Sequence, residues 1–150
     1  MNKVLIKIKA EQAVQGGEPE EFLDLLTSGK HYNKDGVVYL VYEETELSGI
    51  PGCVTSLKLD GETLSMRRYG VAAQELRFEK GQKWLGLYET PLGTMDMEIY
   101  TNDLTADLKY EGAVGTITVD YNINLKGLVE AHNILNIRVA KIPPRPKKQM

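Results

Sequence analysis

A chain of 150 residues with 42% hydrophobic and 26% charged side chains has the composition of an ordinary globular domain, long enough to bury a core and too apolar for intrinsic disorder. Its 18 basic and 21 acidic side chains leave a net charge of -3, which excludes the broad basic face of a nucleic-acid binder. The single cysteine, Cys53, excludes an internal disulfide and points to a reducing compartment, the cytoplasm.

At the N-terminus, Lys7 cuts the run Val4-Leu5-Ile6 well short of a signal-peptide core. The longest uninterrupted apolar stretch, 37–42, falls far below the about 20 residues of a membrane helix. The governing signal is alternation with period two. Val4, Ile6 and Ile8 alternate with lysines; Cys53, Thr55, Leu57 and Leu59 alternate with polar residues; Leu64 and Met66 follow, then Leu76 and Phe78. Further on come Met95, Met97 and Ile99, then Leu104, Ala106, Leu108 and Tyr110, then Ile117, Val119, Tyr121, Ile123 and Leu125. Each run lays one apolar row on one face of a pleated strand and leaves the other face wet, which is antiparallel patterning. Strands are expected near 3–15, 20–32, 37–45, 53–60, 62–69, 74–80, 83–90, 94–102, 104–111, 115–125 and 133–142.

Asp35-Gly36, Asp60-Gly61, Lys80-Gly81 and Glu111-Gly112 supply turns between the runs, and Asp60-Gly61 is the clearest hairpin. The segment 18–26 admits two readings. Pro19 and the following acids suit a helix start, with Phe22, Leu25 and Leu26 on one face; alternatively 24–32 pairs with 37–45 across the Asp35-Gly36 loop. The strand is preferred, because 37–42 needs a neighbour. A short helix is also conceivable at 127–132. The tail Pro143-Pro144-Arg145-Pro146-Lys147-Lys148-Gln149-Met150 has no periodicity and is expected to be extended or disordered.

Many short antiparallel strands joined by tight turns make a sandwich or a barrel. The mostly short loops favour an all-β, antiparallel, up-and-down closed β-barrel of roughly 8–11 strands, since closure also removes exposed sheet edges. The expected organisation is one barrel over 1–142 followed by the basic, proline-rich tail 143–150.

Several short pieces occur in a telling order: Val41-Tyr42-Glu43-Glu44, Arg68-Tyr69-Gly70, Phe78-Glu79-Lys80-Gly81, Tyr88-Glu89-Thr90-Pro91-Leu92-Gly93, Thr101-Asn102-Asp103-Leu104, Tyr121-Asn122-Ile123 and Asn133-Ile134-Leu135-Asn136-Ile137. Their order and spacing, over residues 3 to 142, resemble the YwiB-like family of uncharacterised bacterial proteins. The resemblance implies a calycin-type, lipocalin-like barrel and no assigned activity. Lipocalins brace a tryptophan near their first strand against a late arginine. The only tryptophan here is Trp84, in mid-chain, so that pair does not carry over.

Parity supplies the candidate site. If Leu64 and Met66 face inward, so does Arg68, near the barrel mouth. An inward guanidinium can hold a carboxylate or phosphate through a bidentate fork, although a buried arginine more commonly serves as structural glue. Met66, Met95, Met97 and Ile99 would form adaptable apolar walls, core filling being the commoner use of methionine. Tyr88, Thr90 and Thr101 would add hydroxyls, which more often bond neighbouring backbone. The inward side of Trp84-Leu85-Gly86-Leu87-Tyr88 is ambiguous, being apolar on both faces.

No metal site or cofactor is expected. The acidic run Glu43-Glu44-Thr45-Glu46 lacks a Ca²⁺-loop spacing, and His31 and His132 match no zinc spacing and read as structural or surface residues. Cys53 sits on an apolar row as a small hydrophobe. There is no Walker loop, dinucleotide fingerprint or nucleophile elbow.

Three functions follow, in order of preference. The first is a cytoplasmic barrel binding a small apolar or amphipathic, anionic molecule, with Arg68 at its head group. The second is a non-catalytic barrel with a filled core, contacting a protein partner or a second copy through its outer face or its PxxP-bearing tail. The third is a small barrel enzyme. Nucleic acid and membrane are not among the expected partners.

Overall fold

The computed structural model describes residues 2–14, 16–43, 53–70, 74–90 and 93–142, without the side chains of Glu89 and Thr90. The tail 143–150 and most of the acidic run at 43–46 therefore lie outside the described residues. Ten strands follow in order: β1 (Asn2–Val14), β2 (Glu20–Lys34), β3 (Val37–Glu43), β4 (Val54–Asp60), β5 (Thr63–Tyr69), β6 (Gln74–Glu79), β7 (Lys83–Thr90), β8 (Gly93–Lys109), β9 (Val114–Leu125) and β10 (Val129–Lys141). A 3-10 turn at Tyr110–Gly112 is the only helical element among the described residues.

The sheet order is β6-β5-β4-β3-β2-β1-β10-β9-β8-β7, and every ladder is antiparallel. Each strand lies beside its chain neighbours, and β1 pairs with β10 from Val4 opposite Lys141 to Val14 opposite Ala131. This is an up-and-down meander that is nearly closed. The remaining seam lies between β6 and the β7–β8 hairpin, where one parallel bridge, Lys80 with Thr101, joins the two sides. Backbone Thr101 is bonded twice there: its carbonyl accepts from Gly81 N–H at 2.8 Å, and its N–H donates to the Gln82 carbonyl at 3.2 Å.

The alternation produces the expected inward rows. Val4, Ile6, Ile8, Leu40, Leu57, Leu64, Phe78, Met97, Ile99, Ile117, Val119 and Ile137 are all buried in one contiguous cluster. Burying such a side chain contributes roughly 1.5–3 kcal/mol, whereas a ladder hydrogen bond nets about 0.5–1.5 kcal/mol. The seam is therefore held less by backbone than by packing: Phe78 of β6 stacks obliquely on Tyr121 of β9, ring centroids 4.7 Å apart.

Local details differ from the sequence expectation in three places. The strands expected at 94–102 and 104–111 are one long β8, with an irregularity between Thr101 and Asp103. That extra residue moves the inward row from odd (Met97, Ile99, Thr101) to even (Leu104, Leu108), which made one strand read as two. The expected strand 104–111 ends at Lys109, where the chain turns into Tyr110–Gly112. At 127–132 there is no helix: residues 126–128 turn, and β10 begins at Val129. The segment 18–26 is strand from Glu20 on, but its main partner is β1, and only Lys30 to Lys34 pair with β3. The β2–β3 connection is a two-residue turn, Asp35 and Gly36 both at positive φ (53° and 82°), which matches the twist of the flanking strands.

Candidate functional site

Most inward residues are buried, but the row loosens in several places: Leu23 of β2, Leu104 and Leu108 of β8, and Ile123 and Leu125 of β9 are half-buried, and so are inward residues beside the seam. On β5 and β6, Met66, Arg68, Gln74 and Leu76 are half-buried; across the gap Trp84 and Met95 are half-buried and Tyr88 is exposed. The register explains how they line up. Met66 lies opposite Leu76, and Arg68 opposite Gln74. On the other side Trp84 lies opposite Ile99, Gly86 opposite Met97 and Tyr88 opposite Met95. β6 and β7 share no ladder among the described residues, and these half-buried inward residues lie on the strands that border that gap.

The ambiguity of β7 is resolved by burial. Trp84 packs against the core, whereas Leu85 and Leu87 stand on the outer face. Gly86 is required beneath the indole: a Cβ there would overlap three ring atoms of Trp84. The tryptophan therefore lies flat along its own strand and roofs the barrel wall.

Arg68 is the one cationic residue on the inward row of β5, next after Leu64 and Met66, and its Nε is buried. Opposite it on β4 is Thr55, itself buried, whose Oγ1 has no hydrogen-bond partner. The neighbouring Arg67 faces outward and pairs with Glu75 at 2.9 Å. Deeper in, Thr101, Tyr121 and Asn133 lie side by side on β8, β9 and β10. Asn133 Nδ2 donates to the Tyr121 hydroxyl at 3.1 Å. Thr101 Oγ1 and Asn133 Oδ1 are buried without a partner. Burial raises the Tyr121 hydroxyl pKa, and the bond from Asn133 only partly counters it.

The sequence-derived residues thus divide. Met66, Arg68, Tyr88 and Met95 are inward-row residues of the strands beside the seam and are not fully buried. Met97 and Ile99 are core residues, buried and inaccessible from outside. Thr101 belongs to the deep polar node. Thr90 closes β7 opposite Gly93, and its side chain lies outside the described residues. Sequence reasoning missed Trp84, Leu76, Tyr121, Asn133 and Thr55 as site residues. A polar residue interrupting an apolar row was the available signal for Thr55 and Tyr121.

The remaining titratable candidates sit elsewhere. His31 is buried and donates through Nε2 to the Glu111 carbonyl at 2.9 Å. His132 pairs with Asp120 at 2.5 Å on the surface. Burial raises the Asp120 pKa, but hydrogen bonds from Asn102 and His132 outweigh it and leave the carboxyl below its usual range. Cys53 is buried and free. Among the described residues no three His, Cys, Asp or Glu side chains gather as a metal site, and no helix is long and apolar enough to cross a membrane.

Residues 6–137 match the family model described as a domain of unknown function, DUF1934. The chain is 27% identical over 122 residues to the uncharacterized β-barrel protein YwiB of Bacillus subtilis (strain 168), covering 80% of this chain and 82% of that one. The crystal structure of the ywiB protein from Bacillus subtilis superposes with a TM-score of 0.77 over 94% of this chain and 92% of that chain, at 22% identity, which shows a common fold.

Proposed function

The chain belongs to the DUF1934 family of domains of unknown function, and from that premise we propose a role on its own geometry: binding, without turnover, of a small amphipathic molecule with an anionic head at the mouth of the β6–β7 seam. Arg68 takes the head group through its guanidinium, and Met66, Leu76, Trp84 and Met95 hold the apolar part. The observation that supports this reading is a cation set among apolar side chains: Arg68 follows Leu64 and Met66 on the inward row of β5, half-buried, beside the seam where β6 and β7 share no ladder among the described residues. The filled core confines the ligand to the mouth, so the lipocalin-like part of the reading is narrowed from a central lumen to a rim cleft.

The single tryptophan provides the test. Trp84 fluorescence is followed while a dansyl-labelled medium-chain fatty acid is titrated in. Saturable energy transfer is expected, with affinity weakened roughly tenfold or more by Arg68→Gln, the scale of one lost charged hydrogen bond. The matching fatty alcohol, which lacks the carboxylate, is expected to bind the unaltered protein equally weakly. Absence of saturable transfer, or equal affinity for acid and alcohol, overturns the reading.

The reading of a filled interaction barrel has its own support in the exposed leucines Leu85 and Leu87 on the outer face of β7.

A further inference from the structure

Strand β7 is one of the two terminal strands of the sheet; the other, β6, lies across the seam from it and shares no ladder with it among the described residues. It pairs with β8 from Lys83 opposite Tyr100 to Thr90 opposite Gly93, and with no second strand among the described residues. Gln82 turns its carbonyl to Thr101 of β8. Alternation along the strand then aims the N–H and C=O groups of Lys83, Leu85 and Leu87 away from β8, along a free edge. Leu85 is 71% exposed and Leu87 61%. An edge of this kind, with large apolar side chains and no proline or bulge, is a template for another strand.

The residues along it identify which strand. From 83 to 89 the chain reads Lys-Trp-Leu-Gly-Leu-Tyr-Glu. Laid antiparallel against a copy of itself about Gly86, it places Lys83 opposite Glu89, Trp84 opposite Tyr88 and Leu85 opposite Leu87. Each contact occurs twice, as a two-fold interface demands. The sequence register sets a basic position opposite an acidic one, an aromatic opposite an aromatic and a leucine opposite a leucine. The outward-aimed residues Lys83, Leu85 and Leu87 become the hydrogen-bonded positions, and Gly86 falls at the non-hydrogen-bonded centre, where opposed residues approach closest. The inner face at Gly86 is already covered by the Trp84 indole, so a side chain there would crowd both copies.

We propose that the protein forms a two-fold dimer by antiparallel pairing of β7 with β7 of a second copy, centred on Gly86, which joins two barrels through a continuous sheet. The free edge of β7 borders the same seam as the ligand reading, but the two are tested apart: the ligand reading through Arg68 on the inward row, the dimer through the outer-face residues of β7.

Sedimentation velocity over a dilution series tests it with the full chain. The unaltered protein is expected to be dimeric, and Leu85→Lys to be monomeric. Lys83→Glu and Glu89→Lys each set like charges opposite one another at two places and are expected to weaken the dimer roughly tenfold. The double swap restores the opposite-sign pairs and is expected to regain most of the affinity. Lys83 also pairs with Glu98 within its own chain at 3.1 Å, so recovery in the double swap separates the dimer contact from that local loss. A monomer at the highest soluble concentration overturns the proposal. So does a dimer indifferent to Leu85→Lys and to both charge reversals. Should Leu85→Lys fail to fold, the charge series alone decides.

Discussion

At the scale of single residues, Thr101 and Tyr121 carry unusual burdens. Thr101 stitches the seam through its backbone while its side chain points into the core, 1% exposed, with an unpaired hydroxyl. Tyr121 stacks on Phe78 across the same seam and accepts from Asn133. Because burial raises the folded-state pKa of the Tyr121 phenol, the folded protein holds that proton more tightly than the unfolded chain does. The associated stability is fully present below the ordinary tyrosine value of about 10 and is lost as pH rises above it and through the raised folded-state value. Urea midpoints measured from neutral to strongly alkaline pH should fall on the alkaline side, and less steeply in Tyr121→Phe. An identical alkaline fall in the two proteins would assign the effect to other groups. The sequence marked Tyr121 as inward from its row, but its partner Asn133 is remote by 12 positions and became visible only through the β9–β10 register.

Among the elements, the short turn Tyr110–Gly112 shows best how tertiary contacts override a strand pattern. The alternation of Leu104, Ala106, Leu108 and Tyr110 continues as strand on paper. In the fold, Tyr110 and Glu111 adopt positive φ (55° and 58°), and Tyr110 is exposed. The Glu111 carbonyl is held by His31 Nε2 at 2.9 Å and by Asn33 Nδ2 at 3.3 Å. Asn2 donates to His31 Nδ1 at 3.3 Å, so the ring donates on one side and accepts on the other. The turn seats Gly112 against Val38, at φ +99°, where a Cβ would lie 2.5 Å from a Val38 methyl. Gly112→Ala should therefore cost about 2–4 kcal/mol by strain and overpacking together. Val38→Ala in the same chain should recover the overpacking part and leave the strain. Chemical denaturation of the two single variants and the double variant reads this, and strictly additive losses would show that Val38 is not the obstacle.

For the whole molecule, closure is uneven. The ladder of β1 with β10 runs nearly the length of both strands, whereas the seam has one bridge and a tilted pair of rings. Local opening should follow that difference, because regions with few backbone bonds and few core contacts open at lowest free energy. Amide exchange followed by mass spectrometry should show β6 exchanging before β1, β9 and β10, whether the protein is monomeric or dimeric. Uniform protection around the barrel would overturn that expectation. The family resemblance read from short, ordered pieces of sequence agrees with the matched family model and with the shared barrel fold of the ywiB crystal structure.

The sequence by itself determined the fold class, the antiparallel character, nearly all strands and the inward rows. Those properties follow from period-two alternation and turn residues, which act between near neighbours in the chain. Tertiary structure alone decided where the barrel stays open and which face of β7 looks outward. It also decided that Met97 and Ile99 are core while Met66 and Met95 are rim, and that Thr101 sits beside Tyr121 and Asn133. These depend on strand register and on the extra residue near Asn102. Both set contacts between residues far apart in the chain, and alternation within any one strand carries no record of them.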